Sequence, residues 1–167
     1  MATLDDIMEL MLIKQQKQEL TKVLDCNNYT KKFGIELTEE DVKELLLSRK
    51  SSLRREERVE FKESIMPKLI YAFCDSPYVY QDNYLETLQR LQEIFYLYKN
   101  ESLDEWTDDE LLQYMKEEFD GECQGSLDYL EETSLEKMAR DVRRSSHGFI
   151  RRYLEDEEDL EGESYDE

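Results

Sequence analysis

Cys123 and His147 are the residues whose types could do nucleophilic chemistry. The chain holds one histidine and three cysteines, Cys26, Cys74 and Cys123. Cys123 lies in Asp120-Gly-Glu-Cys-Gln-Gly-Ser126, between a helix end and a helix start. A thiol near a helix N-terminus can have a lowered pKa, and a histidine folded back beside it would activate it further. The acids around Cys123 act in the opposite direction and raise the thiol pKa. The competing expectation is a small apolar residue filling a helix–helix turn.

Metal chemistry finds little footing. The three cysteines and His147 could make a zinc site in principle, but none is paired at the short spacing such sites use. A di-iron bundle needs Glu-x-x-His, and Arg144 stands three residues before His147. Glu157, Asp159, Glu161 and Gly162 echo a calcium loop whose twelfth position falls beyond Glu167. Neither a phosphate-binding glycine loop, a dinucleotide fingerprint, a nucleophile elbow nor a C-x-x-C pair occurs. No cofactor or metal is expected, and enzyme activity is not favoured.

Contact chemistry is better represented. Tyr71, Phe73, Tyr78, Tyr80, Tyr84, Phe95, Tyr96 and Tyr98 fall within 28 residues, and six of the eleven tyrosines are among them. Tyrosine offers a flat apolar area plus a hydroxyl, so the cluster reads either as a partner surface or as core packing around Pro77. Tyr78, Tyr80 and Tyr84 are the candidate contact residues. Two basic clusters interrupt the acidity. Arg49, Lys50, Arg54, Arg55 and Arg58 are interleaved with Glu56, Glu57 and Glu60, a spacing that favours pairs along a helix. Arg140, Arg143, Arg144, Arg151 and Arg152 form the second, of which Arg143, Arg144, Arg151 and Arg152 are candidate interface residues. An acidic segment that could screen them follows at once.

The charge balance limits partners. The net charge is −20, and residues 155–167 hold nine acids and no base. The remaining 33 acids and 22 bases still leave −11. Such a body repels nucleic-acid phosphate and anionic membrane surfaces at long range. No apolar run approaches the length of a membrane span, and MATLDDIMEL lacks the basic start of a secretory signal. Together with an odd cysteine count, this predicts reduced thiols in a cytoplasm.

The elements that would position these groups are helical. With 5 Gly and 2 Pro, the chain lacks the tight turns of a sandwich or barrel, so an all-α class is expected. We expect an irregular bundle of about six to eight helices over residues 1–154, organised around a central helix near 82–99. A disordered acidic tail is expected over 155–167. In the central helix Tyr84, Leu88, Leu91, Phe95 and Tyr98 form one stripe, and Ile94, Tyr96 and Leu97 make its last turns apolar almost all round. Leu4, Ile7, Met8 and Met11 form a stripe after a Thr3 cap, while Leu20, Val23 and Leu24 return on another side. Either this helix wraps two neighbours or it breaks near Gln15; one long helix is the preferred reading. Thr38-Glu-Glu-Asp41, Ser102-Leu-Asp-Glu105, Thr107-Asp-Asp-Glu110 and Thr133-Ser-Leu-Glu136 have the form of capping boxes. An interruption is expected at Ser48–Ser52, Pro67 in the first turn of a helix after Ser64, and a glycine stop at Gly121. Leu135, Met138 and Val142, with Phe149-Ile150, should face inward from the last helix.

Phe73-Cys-Asp-Ser-Pro-Tyr78 with Gln81-Asp-Asn-Tyr84, Tyr98-Lys-Asn-Glu-Ser102, and Phe119-Asp-Gly-Glu-Cys-Gln-Gly-Ser-Leu-Asp-Tyr129 together resemble an uncharacterised family of small cytosolic proteins of Firmicutes, especially clostridia. The resemblance covers about residues 30 to 143. It implies a bacterial cytoplasm and no assigned activity, so no functional residue is carried over from it. The first expectation for function is a non-enzymatic helical protein that binds another protein. The alternatives are a nucleic-acid-associated regulator, binding through the arginines or mimicking charge, and a thiol enzyme at Cys123.

Overall fold

A computed structural model describes residues 3–60 and 64–144, and these are helical with no strand among them. Helices α1 (Leu4–Asp25), α2 (Asn27–Thr30) and α3 (Glu39–Arg55) come first. Helices α4 (Met66–Phe73), α5 (Tyr84–Glu101) and α6 (Asp108–Asp120) follow. A short α7 (Leu127–Tyr129) passes through a π-helical turn, Leu130–Ser134, into α8 (135–144) without a break. The acidic tail, Phe149-Ile150, Arg151, Arg152 and His147 lie outside the described residues.

Helix α5 is the centre. Its stripe Tyr84, Leu88, Leu91, Phe95 and Tyr98 is buried throughout, as are Ile94 and Tyr96. α3, α4, α6 and α7 all pack against it, which is why its last turns can be apolar nearly all round. Gln92, fully buried, donates from Nε2 to the Leu45 carbonyl at 3.1 Å and so ties α5 to α3. The α4 stripe Met66, Leu69, Ile70 and Phe73 closes the core from another side. There Phe73 meets Phe119 of α6 edge-on at 5.5 Å.

Three helix starts are set by local sequence. Thr3, Thr38 and Thr107 each accept from the backbone N–H three residues on, and Asp6, Asp41 and Glu110 accept in return. Pro67 sits in the first turn of α4, where the Ser64 hydroxyl accepts from Met66 N–H.

Several local expectations give way to packing. α3 runs unbroken through Ser48–Ser52, because Ser52 is buried on the side of the helix that faces the core. The Ser102 box does not form. Ser102 instead donates to the Tyr98 and Lys99 carbonyls at the end of α5, and Leu103 and Asp104 turn left-handed (φ +58° and +55°). Thr133 caps nothing, since the π turn carries the helix through it. Gly121 ends α6 at φ −95°, so the left-handed stop falls later, on Gln124 and Gly125. Between α1 and α3, Asn27 bonds Leu37 through both its amide atoms at 2.8 Å, which fixes the loop that turns at Gly34 (φ +79°).

Candidate functional site

Cys123 is held as a packing residue. It is buried, with Sγ 3.5 Å from the Ser134 hydroxyl in the π turn. Burial pushes its thiol above the ordinary value, and Glu118 and Glu122 push it further. Those features oppose the activation that the thiol-enzyme alternative requires. Cys26 and Cys74 are also buried thiols raised mainly by desolvation. No group of three or more acidic, cysteine or histidine side chains is placed to hold a metal among the described residues.

The tyrosine cluster divides. Tyr84 is 1% exposed, so as a candidate contact residue it is corrected to core: the α5 stripe carries it inward. Tyr78 is half-buried, edge-on to Phe119 at 6.1 Å and seated on Gly125, where a Cβ would lie 2.6 Å from its ring. Tyr80 alone of the three is well exposed, at 56%. A separate outer group, Tyr29, Phe33 and Tyr71, is joined edge-on at 5.8 and 5.4 Å, with the Lys32 ammonium 3.9 Å above the Tyr29 ring.

Arg49 and Arg58 of the first basic cluster, and Arg140 and Arg143 of the second, are spent on intramolecular bonds. The Glu60 carboxylate accepts from Tyr96 Oη at 3.1 Å and pairs with Arg49 at 3.5 Å. Arg58 grips Asp104 through two nitrogens at 3.0 and 3.2 Å. These bonds hold the chain after α3 against the end of α5. In the second cluster Arg143 pairs with Glu101 at 2.8 Å and Glu136 at 3.3 Å, and Arg140 with Glu136 at 3.8 Å. Arg144 is exposed.

The feature that breaks the rule of apolar burial is the first half of α1. Leu4 is 71% exposed, Met8 59%, and Leu10 and Met11 64% each, with Ile7, Leu12 and Ile13 also open. Among the described residues the helix is covered only near its end: Val23 is buried, and Leu20 and Leu24 pack on the core edge. One side of α1 opens into a groove against α3 of about 400 Å³, lined by Ile13, Leu20, Leu46 and Leu47. Its charged lining residues are all lysines, Lys17, Lys43 and Lys50. The displacement between the stripe at Leu4–Met11 and the one at Leu20–Leu24 is the sequence signal of this arrangement. It marks two differently directed faces, and among the described residues only the second finds a neighbour.

No helix among the described residues is long and apolar enough to cross a membrane. A family model, "Family of unknown function (DUF6323)", matches residues 22–148. The match begins where α1 becomes buried, so the exposed half of α1 lies outside it. No curated protein and no solved structure shows a significant match.

Proposed function

The chain belongs to DUF6323, a family of unknown function, and we propose that within it this protein is a non-enzymatic bacterial cytoplasmic protein that works by binding another protein. The observation that carries the proposal is the bare outward stripe of α1: Leu4, Ile7, Met8 and Met11, all large, apolar and exposed on one side of a capped helix. An amphipathic helix laid into an apolar groove is a recurring mode of protein recognition, read as anchors at such a spacing. Exposed apolar residues gathered in one place mark contact surfaces more often than scattered ones do. The buried thiol and the internally bonded arginines offer no competing reactive centre among the described residues.

The test is affinity capture with the full chain, wild type against Met8→Glu/Met11→Glu, from lysate of the native host. We expect a stoichiometric partner retained by the wild type and lost by the variant at unchanged helicity. Recovery of the same partner by both chains, or of none by either at low salt, would count against this reading.

A further inference from the structure

The lysine-lined groove is on a different side of α1 from the outward stripe, and it has its own complement in the same helix. At 3.6 residues per turn, Thr3, Asp6, Leu10, Ile13, Lys17 and Leu20 recur at alternating steps of three and four, and so share one side. Ile13, Lys17 and Leu20 of that side line the groove, while Leu10 stands open beyond it. The series is self-complementary when reversed. In an antiparallel pair of α1 helices related by a two-fold axis between residues 11 and 12, Leu10 of one copy meets Ile13 of the other. Asp6 then meets Lys17, and Thr3 meets Leu20.

From this we propose that the groove between α1 and α3 is the seat of a second copy of this chain, each copy laying the first half of its α1 along the second half of the other's. Charge complementarity selects the occupant. Asp5, Asp6 and Glu9 have no ion pair among the described residues, and neither do Lys17 and Lys50. Lys43 is shared with Glu39 and Glu40 at 3.8 and 3.6 Å on the surface. Parallel packing would instead set the three acids of one helix beside their twins. The contact would also cover Leu10, Ile13 and Leu47, three large side chains that the described residues leave exposed. Repulsion between two chains of net charge −20 is screened beyond about 8 Å at physiological ionic strength, so short-range contact decides the outcome.

The test is sedimentation equilibrium of the full chain at physiological salt, with circular dichroism to verify helicity. The wild type is expected at twice the 20.2 kDa chain mass. Asp6→Lys and Lys17→Glu should each weaken the dimer by about tenfold or more, and the two together in one chain should restore it. Leu10→Glu should give a monomer. A wild type that stays monomeric at every concentration, a dimer indifferent to the single changes, or a double variant no tighter than the singles would each overturn the pairing. Met8→Glu/Met11→Glu should leave the mass at the dimer value, so partner capture and self-association fail separately.

Discussion

At the scale of single residues, the chemistry that the sequence allowed is decided by what each side chain touches. Cys123 sits between a helix end and a helix start, as its motif suggests, but faces Ser134 and the core. Its raised pKa keeps the thiol protonated at neutral pH. Iodoacetamide should therefore modify Cys123 far more slowly than an exposed cysteine under native conditions, and at the ordinary rate once the chain is unfolded. Mass-spectrometric quantification of the modified peptide checks this, and fast native labelling would revive the thiol alternative. Gly125 carries a different demand, because it holds φ +83° with the Tyr78 ring directly against it. Gly125→Ala should cost about 2–4 kcal/mol in denaturant unfolding, from the left-handed backbone and the collision together. In a Tyr78→Ala background the same change should cost less, since only the backbone term remains. Glycine's freedom here was invisible in the sequence, which pointed to Gly121 instead. The choice rests on where the α6 exit must turn for the backbone at Gly125 to pass against the Tyr78 ring.

At the scale of elements, α5 and α1 show the two outcomes for an apolar helix face. α5 is enclosed by four neighbours, so Leu91→Ala should destabilise by about 2–5 kcal/mol. Met8→Ala, on the bare half of α1, should stay within about 0.5 kcal/mol of wild type. Chemical unfolding of both variants checks the contrast, and comparable losses would mean that α1 is covered in solution. The start of α6 gives a pH test. The Glu110 carboxylate accepts the Thr107 N–H at 2.8 Å, and that bond holds its pKa below the ordinary carboxylate value. A carboxylate depressed by folding stabilises fully above its unfolded pKa and loses that contribution as pH falls through the folded one. NMR titration should place Glu110 below the ordinary glutamate value, and Thr107→Ala, which removes the hydroxyl but keeps the backbone donor, should lessen that depression and cost about 1 kcal/mol of helix-cap stability. The caps at Thr3, Thr38 and Thr107 were legible because a capping box closes within four residues. The boxes at Ser102 and Thr133 failed because the end of α5 and the π turn had stronger uses for those residues.

At the scale of the whole molecule, charge sets the terms of association. With −20 overall and −11 without residues 155–167, neither the full chain nor a chain ending at 154 should shift duplex DNA or RNA at physiological salt. A salt-sensitive shift that appears on removing 155–167 would favour the nucleic-acid alternative, with Arg144, Arg151 and Arg152 as the first residues to change. The amino-acid sequence by itself determined the helical class, the central place of α5 and the position of the strong helix starts. Helical periodicity and capping are local, written in residues within a few turns of one another. Only the tertiary structure decided that Tyr84 is core, that Arg49, Arg58 and Arg143 are bonded inward, and that the other described residues leave the first half of α1 bare. Each depends on which distant element arrives to cover a face, and an apolar stripe looks the same in sequence whether its neighbour comes from the same chain or from another.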